Sequence, residues 1–332
     1  MSYLLRLLFL LRCIFLVFLG GGTLWCVGAI YYDLPWAALR LPLALLYGIV
    51  VSGMLLVWRR GSRGPLVALG GFAGVLVWWL QMTPRNDLPW QPDVALTAYA
   101  EVNGRSVTLH NVRRCEYRSE FDYTPHWETR TIDVNRITGI DLAITGWGSR
   151  LIAHPIVSFQ IEGEPPLAIS IETRKQIGES YSTIAGFYRQ YGLIYVVSDE
   201  RDVLRLRTNY RQGETVHLYR INVGPEKARL IFLNYLRHIN SLHQRPEFYN
   251  ALTSNCTTNI RTHTAATAGQ TPPWDWRILA NGYLDELLYE RHALAGEGSF
   301  EELKARSVIN EAARAIGDAP DFSRRIRQAI GW

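Results

Sequence analysis

The sequence predicts an α+β protein in which N-terminal transmembrane helices precede a mixed domain that ends in helices. Three observations carry this: three long apolar runs before residue 83, alternating strand-like segments from 94 to 221, and helical periodicity after that.

The apolar runs come first. Cys13 to Tyr32 is an uncharged stretch about as long as a helix needs to cross roughly 30 Å of hydrocarbon. Leu41 to Trp58 and Pro65 to Met82 repeat the pattern, so residues 1–82 are expected to form three transmembrane helices (about 13–32, 41–58 and 65–82). Two further spans, and no clear small-x-small cleavage site, favour a retained anchor over a cleaved signal peptide. Charge sets the orientation. Residues 1–82 hold six arginines against one acid, Asp33, whereas the remaining 29 basic and 29 acidic residues cancel, so the whole net charge of +5 lies in the first quarter. Arg6 and Arg12 precede the first run and Arg59, Arg60 and Arg63 join the second to the third, which places these segments inside and everything after Met82 outside. Trp25, Tyr31, Tyr32, Trp58, Trp78 and Trp79 fall mostly near span ends, as interfacial aromatics do, and Cys13 and Cys26 read as apolar filler. A neutral outer domain argues against a nucleic-acid partner. The composition excludes a disordered, collagen-like or disulfide-rich chain. In a bacterium the expected place is the inner membrane, multi-pass, with the C-terminal domain in the periplasm.

Thr83 to Pro92 reads as a linker, and 93–332 as one domain with a helical region from about 275. Alternation predicts strands at Val94–Val102, Ser106–Val112, Glu128–Val134, Ile137–Thr145, His154–Ile161, Leu167–Glu172, Leu193–Ser198 and Thr215–Ile221. Pro225 suits the first position of a helix running to about His243, with Ile231, Tyr235, Leu236, Ile239 and Leu242 as its stripe. Another helix is expected just after Ser254-Asn255, and two or three more within Trp276–Ile330.

Only Cys115 and Cys256 lie in the outer domain. A disulfide between them is one reading. In the other, Cys256 is a nucleophile: Thr253-Ser-Asn-Cys-Thr-Thr258 puts cap residues before a helix, whose N-terminal N–H groups lower a thiol pKa and can hold an oxyanion, with Asn255 and Thr257 in support. Among the histidines, His263 stands seven residues along the same helix, about 10.5 Å from Cys256 and too far for contact. His238 and His243 suit a surface, and His110, His126, His217 and His292 have no polar constellation around them. His154 differs. A hairpin centred on Gly163 pairs residues whose numbers sum to 326, which sets Glu172 beside His154 on the polar face of two alternating strands. That makes a Cys–His–acid set of Cys256, His154 and Glu172, against a simple solvated hairpin face. Arg205 and Arg207, with Arg201 and Arg211, could meet lipid phosphates, or form a solvated strand edge balanced by Asp199, Glu200 and Asp202. Alternation would split that acidic triplet between two faces, so no metal is expected, and no cofactor. Trp274 and Trp276 suit an acyl groove less well than core packing.

The order His154, Glu172, Cys256 reverses that of papain and fits a circularly permuted papain-like fold. The motifs Asn111-Val-Arg-Arg, Tyr117-Arg-Ser-Glu120, Trp127-Glu-Thr-Arg130, Ala153-His-Pro, Ser170-Ile-Glu-Thr-Arg-Lys175, Gly186-Phe-Tyr-Arg-Gln-Tyr191, Asp199-Glu-Arg-Asp202 and Asn255-Cys-Thr-Thr258 run in order over about 105–325. In them the outer domain resembles the Lnb N-terminal periplasmic domain family. The resemblance implies an envelope-facing, permuted NlpC/P60-like thiol fold with Cys256 as nucleophile and His154 as base. It also implies relation to lipoprotein N-acyltransferases, in which a cysteine passes an acyl chain from phospholipid to a lipoprotein amine. Those enzymes carry a C-terminal membrane portion, whereas the spans here are N-terminal. The expected function is therefore acyl transfer through a thioester on Cys256, with a phospholipid or lipoprotein substrate. The alternatives are a peptide or peptidoglycan amidase with the same dyad, or a non-catalytic envelope module in which Cys256 is structural.

Overall fold

A computed structural model describes residues 3–56, 63–268 and 273–332. The chain divides into two units, Met1–Pro84 with Tyr181–Tyr191, and Arg85–Ser180 with Gly192–Trp332. Val57, Trp58, Arg59 and Arg60, which enter the span and orientation arguments, lie outside the described residues.

The first unit holds α1 (Tyr3–Asp33), α2 (Ala37–Leu56) and α3 (Gly64–Leu80). α1 and α2 are each long and apolar enough to cross a bilayer, while α3 is shorter at 17 residues. The Gly186–Tyr191 motif belongs to this unit rather than to the sheet domain. Tyr188 stacks on Tyr32 at 5.2 Å, and its hydroxyl lies where a Cβ on Gly28 would come within 1.8 Å, so no larger residue fits at 28. The Arg189 amide donates to Asp33 Oδ2 at 3.1 Å, and Trp79 Nε1 donates to the same oxygen at 2.7 Å. The Arg189 guanidinium lies 4.2 Å from the Trp79 ring and donates to the Met82 carbonyl at 2.5 Å.

The second unit is a mixed sheet between helices. Its strands are β1 (Tyr99–Asn103), β2 (Ser106–Tyr117), β3 (Tyr123–Asp133), β4 (Ile137–Gly146), β5 (Ala153–Ile161), β6 (Glu164–Arg174), β7 (Gly192–Ser198) and β8 (Thr215–Arg220). Their order is β1-β2-β7-β6-β5-β4-β8, with β3 also paired to β2. All pairs are antiparallel except β2 with β7. The expected strand at Val94 starts only at Tyr99, because Pro92–Val94 closes a 3-10 turn. The stretch read as a linker is ordered from Arg85: Trp90 is buried in the core under the Arg174 guanidinium, 4.4 Å from its ring.

On one face of the sheet lies α5 (Pro225–Gln244), whose predicted stripe is entirely buried. Phe159 of β5 meets Phe232 and Tyr235 of α5 with ring centres 5.1 and 5.6 Å apart, a contact set whose loss on truncation to alanine costs about 3–5 kcal/mol. α6 (Cys256–Ala268) packs beside it. The opposite face carries Ile156, Ala168, Ala143 and Val196 against α4 (Glu200–Arg205) and the C-terminal α9 (Asn310–Ile316) and α10 (Phe322–Ala329). With α7 (Leu284–Glu290) and α8 (Phe300–Arg306), the described residues of Trp276–Ile330 hold four α-helices rather than two or three.

The segment after Asp199 corrects the strand-edge reading. Asp199 caps α4 by accepting from the Asp202 amide at 3.0 Å, and Leu206–Tyr210 continues it as a π-helical turn. Glu200 and Asp202 point to different sides of α4, yet both are buried because each meets an arginine of a different element. Arg327 of α10 bonds Glu200 at 2.6 and 2.8 Å and Asp141 at 2.8 Å, and Arg113 of β2 bonds Asp202 at 2.6 and 3.0 Å.

Candidate active site

Cys256 is the first residue of α6, and Asn255 is its cap. Asn255 Oδ1 accepts from the Thr258 amide at 2.9 Å while Thr258 Oγ1 accepts from the Asn255 amide at 2.9 Å, a reciprocal pair that closes the first turn. Asn255 Nδ2 donates to the Ala251 carbonyl at 2.7 Å, so both ends of its carboxamide hold the turn. Thr257 Oγ1 lies 3.9 Å from Cys256 Sγ. The sulfur is 7% exposed with its residue. Burial pushes the thiol up to about 11, and the Thr257 hydroxyl and the amides of Thr257 and Cys256 offset this only in part. The helix start therefore acts in the expected direction, but desolvation outweighs it and the resting group is a protonated thiol.

His154 lies on β5, and Ser170 and Glu172 on β6. The pairs Ile156↔Ser170, Val157↔Ile169, Ser158↔Ala168 and Phe159↔Leu167 all sum to 326, the register read from the Gly163 turn. His154 Nε2 stands 2.8 Å from Ser170 Oγ, which donates to Glu172 Oε1 at 2.7 Å; Glu172 Oε1 is 3.5 Å from His154 Nε2. Burial raises the Glu172 pKa, but His154 and Arg207 outweigh it and hold the carboxyl well below its usual range. Burial, then the charge of Arg207, lowers the His154 pKa. At neutral pH the pair is thus a carboxylate and a neutral imidazole. An ionised carboxylate only accepts, so the single Ser170 proton goes to Glu172 and Ser170 Oγ accepts from His154 Nε2–H. That fixes the tautomer and leaves the lone pair on Nδ1. This face is only partly solvated: Ser158 and Ser170 are fully buried, Ser158 donating to Glu200 of α4 at 2.5 Å, while Glu172 keeps some exposure.

Asn281 links these two parts. Its Oδ1 accepts from the Ala153 amide at 2.6 Å, next to His154, and its Nδ2 donates to Thr257 Oγ1 at 2.8 Å and reaches Cys256 Sγ at 3.8 Å. The following Gly282 packs so tightly on the loop before β5 that a Cβ there would lie 2.3 Å from the Arg150 carbonyl oxygen. Among the described residues no hydrogen bond joins Cys256 Sγ to His154 directly. Cys256 also senses the Glu172 carboxylate, which raises its pKa further.

Residues 123–282, from β3 through Gly282, match the Lnb N-terminal periplasmic domain family. They belong to that family. The matched stretch contains His154, Ser170, Glu172, Cys256 and Asn281 and leaves out the motifs at Asn111–Arg114 and Tyr117–Glu120. No curated protein and no solved structure matches the chain. With a periplasmic domain of this family and the apolar helices α1 and α2, the chain is a membrane-associated envelope protein.

Within the Lnb domain the other expected residues fall elsewhere. Arg207 is buried between Glu172 and Glu214, at 3.3 Å from each, and Arg205 is buried against Asp318 at 2.8 Å. Both guanidinium groups are engaged inside the fold rather than presented to a lipid phosphate, because helical spacing replaces the strand edge on which they were placed. Cys115 and Cys256 are free thiols, Cys115 packing with Tyr117 and Leu206. His263 is buried between Tyr195 and Asn234, each at 2.8 Å, and burial then His238 lower its pKa to about 3. Trp274 and Trp276 are exposed rather than in the core. Asn281 had a faint signal: Asn281-Gly282 is turn chemistry inside a stretch read as helix.

Proposed function

We propose that this protein is an envelope thiol enzyme that transfers an acyl group through a thioester on Cys256. The observation that carries the reading is the link from Cys256 at the capped start of α6, through Asn281, to the strand bearing His154, whose imidazole is held by Ser170 and Glu172. Because the thiol is protonated at rest, its proton leaves as Sγ attacks the ester carbonyl, and His154 Nδ1 is the base to receive it. The Sγ–C bond forms, the tetrahedral intermediate collapses, and the departing alkoxide takes the proton from the imidazolium. An amine then attacks the thioester, His154 accepts its proton, and the thiolate leaves to be reprotonated.

The surroundings suit an apolar acyl donor. Trp147, Leu151 and Ile152 on the β4–β5 loop and Trp276 and Leu279 near Asn281 are exposed. The two loops meet where the Arg150 guanidinium stacks 4.4 Å from the Tyr283 ring. A multi-pass anchor, with α1, α2 and α3 each crossing the inner membrane and the Lnb domain in the periplasm, keeps the site at high effective concentration of lipid.

The test is incubation of the detergent-solubilised full chain with a phospholipid labelled in its acyl chain. A hydroxylamine-sensitive label on Cys256, absent from Cys256→Ala, is expected. Release of free fatty acid or cleavage of a peptidoglycan stem peptide, with no trapped adduct, would favour a hydrolase; a wild type inert to both substrates would end the enzymatic reading.

A further inference from the structure

We propose that Asn281 is a catalytic residue of this site, its carboxamide Nδ2 donating to the sulfur of Cys256 as negative charge develops there. This rests on the reading of Cys256 as nucleophile.

The orientation of the side chain is forced by its partners. The Ala153 amide can only donate, so the atom 2.6 Å from it is the carbonyl oxygen of Asn281, and the nitrogen must face the other way. There Nδ2 has two hydrogens. One goes to Thr257 Oγ1 at 2.8 Å, and the second is available to Cys256 Sγ at 3.8 Å. Thr257 Oγ1, having accepted from Asn281, keeps its own hydrogen for the sulfur 3.9 Å away. Two side-chain donors thus converge on Sγ alongside the amides of the first turn, and every one of them is a hydrogen donor.

Such an arrangement does little for a neutral thiol, which is a weak acceptor, and much for a thiolate, since hydrogen bonds to an ion are about twice as strong as neutral ones. Asn281 is itself buried, so its amide gains no comparable bond from water. Its position is not loose either, because Gly282 is pressed against the Arg150 backbone.

The experiment follows the rate of Cys256 alkylation by iodoacetamide across pH 6 to 11, by peptide mass spectrometry on the full chain in detergent, with no substrate present. In Asn281→Asp, the oxygen facing Ala153 remains and a carboxylate replaces the donor. The alkylation rate near pH 8 is expected to fall about tenfold, as the thiolate becomes harder to form. Asn281→Ala should lower it by less. Unchanged profiles in either folded variant overturn the proposal. If neither variant folds by circular dichroism, Asn281 is only a strap between β5 and α6 and the catalytic assignment falls. Because no substrate is used, failure of the acyl-transfer reading leaves this result intact, and the reverse also holds.

Discussion

Ser170 Oγ stands 2.8 Å from His154 Nε2, and that single contact decides which nitrogen of the imidazole can act as a base. Glu172 takes the Ser170 proton at 2.7 Å, Ser170 therefore accepts from Nε2–H, and Nδ1 is left with the lone pair. Ser170→Ala removes the relay. Its expected effect is a loss of about 10²-fold or more in kcat/KM, within the range a positioned general base supplies, with partial rescue by Ser170→Thr. Nitrogen-15 chemical shifts of His154 provide the check: Nδ1 should report an unprotonated ring nitrogen in the wild type and a tautomer mixture in the alanine variant.

The pH profile carries a sign that can be worked out. His154 has its pKa lowered from 6.5, first by burial and then by Arg207, so the neutral base persists below that value and the acidic limb of kcat/KM should fall below pH 6.5. Cys256, pushed up to about 11 by burial, should be alkylated slowly at neutral pH, with the rate climbing until close to that value. A thiolate already formed at pH 7, seen as ultraviolet absorbance lost on Cys256→Ala, would contradict this.

Gly282→Ala tests how Asn281 is seated. The new Cβ would fall 2.3 Å from the Arg150 carbonyl oxygen, a backbone atom that cannot rotate away. The loop must shift, at about 1–3 kcal/mol of stability, and should carry Asn281 with it. The expected outcome is a lower melting temperature together with the smaller alkylation effect described for Asn281→Ala.

Arg327 tests the clamp between α10 and the sheet. It bonds both Glu200 and Asp141 in a buried setting, and Arg327→Ala leaves two inward carboxylates without that partner. The expected cost is about 3–5 kcal/mol in denaturant titration. Glu200 has its pKa lowered because Arg327 outweighs the effect of burial, so the pair contributes stability above the usual carboxylate range and loses it as pH falls. The wild type should weaken on acidification more steeply than the variant.

The parts of this protein that were legible in the sequence are those set by local chemistry. Gly163 in a turn between two alternating strands was enough for the β5–β6 register, and Asn255 before Cys256 was enough for the start of α6. The direction of the Cys256 shift was misread because the helix start is local, whereas the burial that outweighs it comes from the packing of distant segments. α4 is hidden in the sequence although Asp199 is a good cap residue: the run of four charged residues from Asp199 to Asp202 suits a solvated segment, and only the distant partners Arg327 and Arg113 allow Glu200 and Asp202 to be buried in a helix. Asn281 acquires its role entirely from partners 24 and 128 positions away in the chain.

Tyr181–Tyr191 lies between β6 and β7 in sequence yet belongs with the helices, wedged against Gly28 through Tyr188. The order of biogenesis follows. The helices leave the ribosome first, whereas β7, a central strand of the sheet, is made only after this segment. Assembly of the sheet must therefore leave room for a stretch of chain that leaves it and returns. Cutting the protein after Pro84 would strip Tyr188 of its seat, so a soluble fragment that begins there should be prone to aggregate unless residues 181–191 are replaced as well.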